Sequence, residues 1–174
     1  TPNVYRARSR TAMLDRYADW IGDVVVPRAR SEANIISDAA HTSLDGCSLG
    51  GYVGLEVFLR KAAMFHSWGS VQGALGAHRL SRYVERLTAT LAKHGPRRIH
   101  LETSSGDAFR KVNETFSRAL RAASIPHDFS LLPGPHNQPF LRDSGTLTML
   151  QWHDRNFAAK PTAPHSSAVE ANKG

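Results

Sequence analysis

Apolar positions recur at helical spacing in five parts of the chain, and each part predicts a helix. The first helix begins at Met13, and Pro27 is expected to end it because proline has no amide hydrogen and clashes with the preceding turn. The third helix opens at Ser81, and Gly95-Pro96 is expected to stop it. In chain order, the predicted helices cover residues 13–26, 52–59, 81–94, 109–120 and 146–157.

Short apolar or alternating segments lie between these helices and predict four strands. They cover residues 41–45, 65–71, 98–103 and 127–132, and the predicted turns Ser104-Ser105-Gly106 and Pro133-Gly134-Pro135 follow the last two. Strands that alternate with helices imply right-handed βαβ units and therefore a parallel sheet. The predicted fold class is α/β, with a parallel sheet of about four strands flanked by helices.

The length and composition suit one domain with an apolar core, since the 174 residues are 41% hydrophobic. We expect this domain to cover residues 1–157, with an irregular arm over residues 1–12 and a disordered tail over residues 158–174. No apolar run approaches the roughly 20 residues that cross a bilayer, and the polar, basic start does not resemble a signal peptide. With a single cysteine, Cys47, this pattern favours the cytoplasm.

The chain is basic, with 22 Lys and Arg against 15 Asp and Glu and a net charge of +7. The basic residues are scattered at helical spacing, as on solvated faces, and form no nucleic-acid-binding motif, so we expect no nucleic-acid partner. The single cysteine excludes a Cys-based zinc site. The nine histidines show no HExxH or HxH pairing, so neither a metal nor a cofactor is predicted.

The segment Gly46-Cys47-Ser48-Leu49-Gly50-Gly51 contains a G-x-S-x-G motif between a predicted strand and a predicted helix. A chain that turns from strand to helix within a few residues holds the serine in strained geometry at the helix N-terminus. Glycines two positions before and after the serine leave room where a Cβ would clash. Ser48 is therefore the candidate nucleophile, and the Leu49 N–H is a candidate oxyanion donor. The plainer alternative is a glycine-rich turn in which Ser48 only caps the helix.

A candidate acid and base follow Ser48 in the order serine, acid, histidine that α/β-hydrolases use. Asp107 follows the third predicted strand and His136 the fourth, so both are expected beside Ser48 at the carboxyl edge of the sheet. Asp107 could instead be an ordinary helix cap, and His136 a surface histidine. Glu102 is the alternative acid. Three other histidines are poorer candidate bases because they lie within predicted strands or helices, namely His100, His127 and His153.

Three residues close to the motif have weaker claims to a role. Cys47 is expected to be a small buried residue that points away from the turn. Trp68 and Gln72 end the strand that follows the motif, where they could line a pocket. Core packing is the expected role of Trp68.

From Met13 to Phe157 the sequence resembles the esterase D-like branch of the α/β-hydrolases, which includes feruloyl esterases, enterochelin esterases and the antigen 85 mycolyltransferases. Four segments carry the resemblance. They are MLDRYADWIGDVVVPRAR, LDGCSLGGYVGLEVFLRKAAMFHSWGSVQGAL, LETSSGDAFRKVNETFSRAL and LLPGPHNQPFLRDS. The chain is thus identified as the C-terminal part of an α/β-hydrolase fold.

The resemblance implies a role for each candidate residue. Ser48 would be the nucleophile, His136 the general base and acid, Asp107 the orienting carboxylate, and Leu49 a backbone oxyanion donor. The implied reaction is cleavage of a small-molecule, lipid or aryl ester through an acyl-enzyme, which passes the acyl group to water or to another alcohol.

The chain departs from this family upstream of the motif, because only 47 residues precede Ser48 and most of them form the arm and the first helix. The strands that the family places earlier, and the second oxyanion donor that follows one of them, are absent from this chain. We therefore expect a missing N-terminal segment, a second chain or a homo-oligomer to complete the sheet. A non-catalytic relative that serves in binding or assembly is the alternative interpretation.

Overall fold

Four parallel strands form the centre of the protein in the computed structural model, which describes residues 10–158. The strands are β1 (Ser43–Cys47), β2 (Ser67–Val71), β3 (Arg98–Gly106) and β4 (Asp128–Pro135), and their spatial order is β1-β2-β3-β4. Each strand lies beside the next one along the chain, as successive βαβ units predict. The predicted α/β class and four-stranded parallel sheet are confirmed.

Helices cover both faces of this sheet. The helical segments are α1 (Arg10–Trp20), α2 (Val26–Glu32), α3 (Leu49–Lys61), α4 (Leu80–His94), α5 (Arg110–Ala122), α6 (Gln138–Phe140) and α7 (Thr146–Ala158). Helices α3 and α5 pack on one face, with α1 and α4 against them, and α7 packs on the other face. Helix α4 ends at Gly95, whose φ of 78° ends the helix where the sequence predicts it.

The first predicted helix continues past Pro27, so the prediction that proline would end it is wrong. A π-turn over Ile21–Val25 joins α1 to α2, and the Val26 N–H bonds the Ile21 carbonyl. Pro27 then occupies the first turn of α2, where a backbone amide hydrogen is not needed. The helix also starts at Arg10, inside the predicted arm. The rest of that arm, and the predicted tail after Ala158, lie outside the described residues.

The boundaries of all four strands also differ from the prediction. β2 begins at Ser67 rather than at residue 65. β1 covers Ser43–Cys47 rather than residues 41–45, and therefore reaches the residue before Ser48. β3 and β4 run through the predicted turns Ser104-Ser105-Gly106 and Pro133-Gly134-Pro135, which continue their ladder. The sequence did not predict this pairing, because clusters of polar and turn-forming residues are interpreted as loops.

The face under α3 and α5 carries the apolar core. Trp68 from β2 and Ile99 and Leu101 from β3 pack there against Phe58 and Phe116 from the helices. All five side chains are fully buried, so the predicted core role of Trp68 is confirmed. This burial is the main source of stability for the fold.

The face under α7 is unusually polar. Alternation along β3 turns His100 and Glu102 toward this face, where they are fully buried, while Asp45 from β1 contacts His153 from α7. We call Asp45, His100, Glu102 and His153 the polar layer. Each of the four has at least one buried side-chain polar atom without a hydrogen-bond partner among the described residues.

The outer edge of β1 has no strand paired to it within residues 10–158. A mainly apolar groove of about 490 Å³ runs beside this edge, and its lining includes Val25, Ile35, Ile36 and Phe157. Ile35 and Ile36 are each at least half exposed there. Within residues 10–158, none of the helices has the length and apolar character needed to cross a membrane.

Candidate active site

Ser48 occupies the sharp turn between β1 and α3, with φ of 54° and ψ of −118°. A non-glycine residue rarely adopts this backbone geometry, and it persists only where the surroundings enforce it. Three backbone hydrogen bonds do so here. The Ser48 N–H donates to the Val71 carbonyl at 2.9 Å, and the Ser48 carbonyl accepts from Gly51 at 3.1 Å and from Ala74 at 2.9 Å.

Two of the three glycines in the motif are required by close backbone and side-chain contacts. A Cβ on Gly46 would lie 2.1 Å from the Gly50 carbonyl oxygen, and one on Gly51 would lie 2.3 Å from the Ser70 Oγ. A Cβ on Gly50 would meet nothing within 4 Å. The sequence argument was therefore wrong about Gly50, and Gly51 is the glycine that permits the close approach of α3 to β2.

Asp107 lies directly after β3, and its carboxylate is fully buried. Its Oδ1 accepts the Phe109 N–H at 2.8 Å, and its Oδ2 accepts the Thr103 hydroxyl at 2.6 Å. Helix α5 begins at Arg110, so Asp107 stabilises the turn before the helix and is not its N-cap. Thr103 and Phe109 thus hold both carboxylate oxygens in place without any contribution from His136.

His136 lies directly after β4 and joins the other two residues. Its Nδ1 is 2.8 Å from the Asp107 Oδ1, and its Nε2 is 3.0 Å from the Ser48 Oγ. The ring packs edge-on against Phe109 at a centroid distance of 5.4 Å. Because a carboxylate only accepts, Nδ1 carries the proton of this pair, and Nε2 is left to accept the Ser48 hydroxyl. The structure therefore brings the three predicted residues into one chain of hydrogen bonds.

The competing acid and bases lie elsewhere. Glu102 is in the polar layer, where burial raises the pKa of its carboxyl group to about 8 and neither oxygen has a hydrogen-bond partner among the described residues. His100 stacks on Trp152 at a centroid distance of 5.1 Å. His153 pairs with Asp45, and His127 bonds the Ser117 hydroxyl at 2.8 Å. None of these side chains contacts Ser48.

The two neighbours of Ser48 in the chain are Cys47 and Leu49. Leu49 is the first residue of α3, so its N–H has no acceptor one turn earlier in the helix, and its role as an oxyanion donor stays a prediction. Cys47 is half-buried rather than buried, which differs from the prediction. Burial and the charge of Asp107 raise the pKa of its thiol. A thiol in this state is a poor nucleophile, which leaves Ser48 as the candidate.

Two residues whose structural roles were not predicted hold the site together. Thr103 bonds the carboxylate of Asp107, and a threonine four residues before a candidate acid gives no signal of this in the sequence. Gln72, a candidate pocket residue, has a φ of 52° and is fully buried. Its Nε2 donates to the Ser104 Oγ at 2.7 Å and to the Pro135 carbonyl at 3.0 Å, beside His136. Gln72 therefore fixes the end of β4 against β2 and β3.

Comparison with solved structures identifies the fold. A ferulic acid esterase is 18% identical, with 81% of this chain and 61% of that chain covered and a TM-score of 0.68. The S-formylglutathione hydrolase of Staphylococcus aureus is 16% identical, with 79% and 63% covered and a TM-score of 0.68. The ferric enterobactin esterase of Salmonella typhimurium is 22% identical, with 88% and 42% covered and a TM-score of 0.59. These likenesses show that this chain has the α/β-hydrolase fold.

No family model matches the sequence, and no curated protein sequence matches it significantly. The chain spans less than two thirds of the length of the three solved structures described above. In residues 10–158 no group of three or more His, Cys, Asp or Glu side chains is placed to hold a metal ion.

Proposed function

We propose that this protein is a serine carboxylic-ester hydrolase. The observation that carries the proposal is the hydrogen-bond chain from the Ser48 Oγ through His136 to Asp107, with distances of 3.0 and 2.8 Å. Ser48 stands on a strained turn at the start of α3, which supports its role as nucleophile. The α/β-hydrolase fold agrees with this chemistry but does not by itself assign it.

In the proposed reaction, the Nε2 of His136 accepts the proton of Ser48 while its Oγ attacks the ester carbonyl carbon. The carbonyl π electrons move to oxygen, and the Leu49 N–H stabilises the resulting oxyanion. Asp107 keeps the imidazole in the correct tautomer and stabilises its charged form. The imidazolium then protonates the leaving alcohol as the C–O bond breaks, which leaves an acyl group on Ser48.

The same residues also remove the acyl group. His136 takes a proton from water, the hydroxide attacks the acyl-enzyme, and Ser48 recovers its proton from His136 as the acid leaves. An alcohol in place of water would give acyl transfer instead. The substrate is a small-molecule, lipid or aryl ester in either case.

We also propose that polypeptide upstream of the described residues, in a longer form of the protein, completes the sheet beyond β1. The unpaired outer edge of β1 and the apolar groove beside it support this proposal. The lengths of the similar solved chains agree with it. An intact mass well above 19.1 kDa for the native protein would support this proposal, and a native mass at that value would contradict it. Protection of the β1 edge from hydrogen exchange only in a dimer would also contradict it.

The experiment for the catalytic proposal compares two serines that both bond a histidine. Ser48→Ala should abolish hydrolysis of 4-nitrophenyl acetate and butyrate by the native protein. Ser117→Ala is the matched control, because the Ser117 Oγ lies 2.8 Å from the Nε2 of His127, a histidine whose Nδ1 faces the Ile125 carbonyl instead of an acid. We expect this variant to retain its activity. No hydrolysis by the unchanged protein would favour a non-catalytic binding protein. Equal rates in both variants would show that Ser48 is not the nucleophile.

A further inference from the structure

A cavity of about 210 Å³ lies against the first turns of α3, and its lining includes Leu49, the residue after the proposed nucleophile. Leu49, which follows Ser48, forms one wall, and Ala74, whose N–H bonds the Ser48 carbonyl, forms another. Tyr52 and Val53 line its floor from the next turn of α3. The cavity is smaller than the roughly 300–1,000 Å³ of pockets for drug-sized ligands, so it suits one small part of an ester.

The rim of this cavity is positively charged. Arg79 is half-buried and stacks on the ring of Tyr52, with its guanidinium carbon 4.5 Å from the ring centroid. Arg10 lines the same cavity. A second cavity of about 260 Å³ shares both arginines and adds Arg82. Within residues 10–158, none of these three guanidinium groups has a carboxylate partner.

The carboxylates nearby are already neutralised. Glu56 bonds Arg60 and Arg86 and also accepts the Tyr83 hydroxyl at 2.8 Å. Asp15 pairs with Arg60 at 2.6 Å. The positive charge of Arg10, Arg79 and Arg82 is therefore not offset by the described residues, and an anion that enters the cavity meets an attractive potential.

We propose that this cavity selects esters that carry a carboxylate or phosphate group, which Arg79 and Arg10 bind. The inference rests on the proposed esterase function, because the cavity begins at the residue after Ser48. A guanidinium already held against Tyr52 loses little freedom when it binds an anion, and it offers two parallel N–H donors to a carboxylate or phosphate. The apolar floor would hold the short carbon chain between this group and the reacting carbonyl.

The test measures kcat/KM for matched esters that differ in one charge. The neutral ester 4-nitrophenyl butyrate is compared with 4-nitrophenyl hemiglutarate, and a third ester replaces the terminal carboxylate with a phosphonate. A second pair, phenyl acetate and 4-carboxyphenyl acetate, places the charge on the alcohol side. We expect about a tenfold or greater preference for an anionic ester in one of the two pairs, as charge-assisted hydrogen bonds give.

Two substitutions separate anion binding in the cavity from the effect of net charge. Arg79 is half-buried and lines the cavity, whereas Arg121 is exposed. Arg79→Gln should lower kcat/KM for the preferred anionic ester at least fivefold more than for its neutral partner, and Arg79→Glu should reverse the preference. Arg121→Gln removes the same charge from the last turn of α5 and should leave the preference intact. An equal loss in Arg79→Gln and Arg121→Gln, or no preference at all, would overturn the inference.

A binding measurement keeps the inference separate from turnover. Calorimetric titration of Ser48→Ala with the hemiglutarate ester and with 4-carboxyphenyl acetate should show, for at least one of them, binding that the added Arg79→Gln substitution weakens at least fivefold. If the unchanged protein hydrolyses neutral esters but shows neither charge preference nor this binding difference, only the inference fails. If it hydrolyses no ester while the binding difference persists, the esterase proposal fails and the anion site stands.

Discussion

The described residues contain two partly buried Asp–His pairs, and the contrast between them shows what the proposed catalytic pair requires. Asp107 and His136 meet at the carboxyl edge of the sheet, whereas Asp45 and His153 meet under α7. Each pair joins an aspartate that lies in a strand or directly after one to a histidine from a later part of the chain. Only the first pair leads to a serine.

The two acids differ in how completely they are hydrogen-bonded. Both oxygens of Asp107 have donors, from Thr103, Phe109 and His136. In Asp45, Oδ2 contacts His153 while Oδ1 is buried and has no partner among the described residues. A fully satisfied acid holds its histidine in one orientation, and a partly satisfied acid does so less firmly.

The histidines differ in the same way. The second nitrogen of His136 reaches the Ser48 Oγ, while the second nitrogen of His153, its Nδ1, is buried without a partner in residues 10–158. The residue types are therefore not sufficient for the proposed chemistry. The acid must be fixed by other donors, and the free nitrogen of the histidine must face a nucleophile.

The largest expected effect comes from removing the negative charge of each acid in turn. Asp107→Asn should lower kcat of the native protein on 4-nitrophenyl acetate by about 10³–10⁴, because the imidazole loses the correct tautomer and its charged form loses its partner. Asp45→Asn is the matched control and should change kcat less than about threefold. Comparable losses in the two variants would remove the functional distinction between the pairs.

The next effect concerns Glu102, the polar-layer acid that lies five positions before Asp107. Burial raises its pKa to about 8, against about 4.3 in an unfolded chain, so the folded state binds more protons between these values. Stability contributed by the neutral carboxyl is thus present below pH 4 and is lost as the pH rises to 8.

Glu102→Gln should remove this dependence. The free energy of unfolding of the unchanged protein should fall between pH 5 and 8.5 by about 2–4 kcal/mol more than that of the variant, after allowance for solvent screening. Chemical denaturation at both pH values measures the difference. Parallel pH profiles for the two proteins would show that Glu102 is not held neutral by burial.

The smallest expected effect tests the donor that fixes Asp107. Thr103→Val keeps the shape of the side chain but removes the 2.6 Å hydrogen bond to the carboxylate, so kcat should fall by about tenfold. Thr103→Ser restores the hydroxyl and should recover most of the rate. A loss that serine does not rescue would indicate a packing role for Thr103 instead of positioning of the acid.

Much of this architecture could be predicted because it depends on local pattern. Helices α4 and α5 show a strong apolar stripe, and Gly95 marks the end of α4, so their extents follow from spacing alone. The approach of Asp107 and His136 to Ser48 followed from a topological rule, since the carboxyl ends of parallel strands share one edge.

The features that could not be predicted depend on tertiary contacts. Pro27 is accepted inside a long helix only because a π-turn precedes it. The polar ends of β3 and β4 pair because each finds a partner in the other, although their residues favour turns. Glu102 is fully buried and Asp45 is partly buried under α7, which differs from the usual exposure of carboxylates, and the sequence pattern does not predict it.

The most direct test of the central claim is covalent labelling of the native protein, with any chain that co-purifies, by a fluorophosphonate, followed by intact mass and peptide mapping. A fluorophosphonate reacts with a serine that its histidine has activated and leaves a stable phosphonyl adduct. The proposed function predicts one adduct, on Ser48, that is absent from Ser48→Ala and unchanged in Ser117→Ala. No adduct on the unchanged protein, or an undiminished adduct in Ser48→Ala, would contradict it.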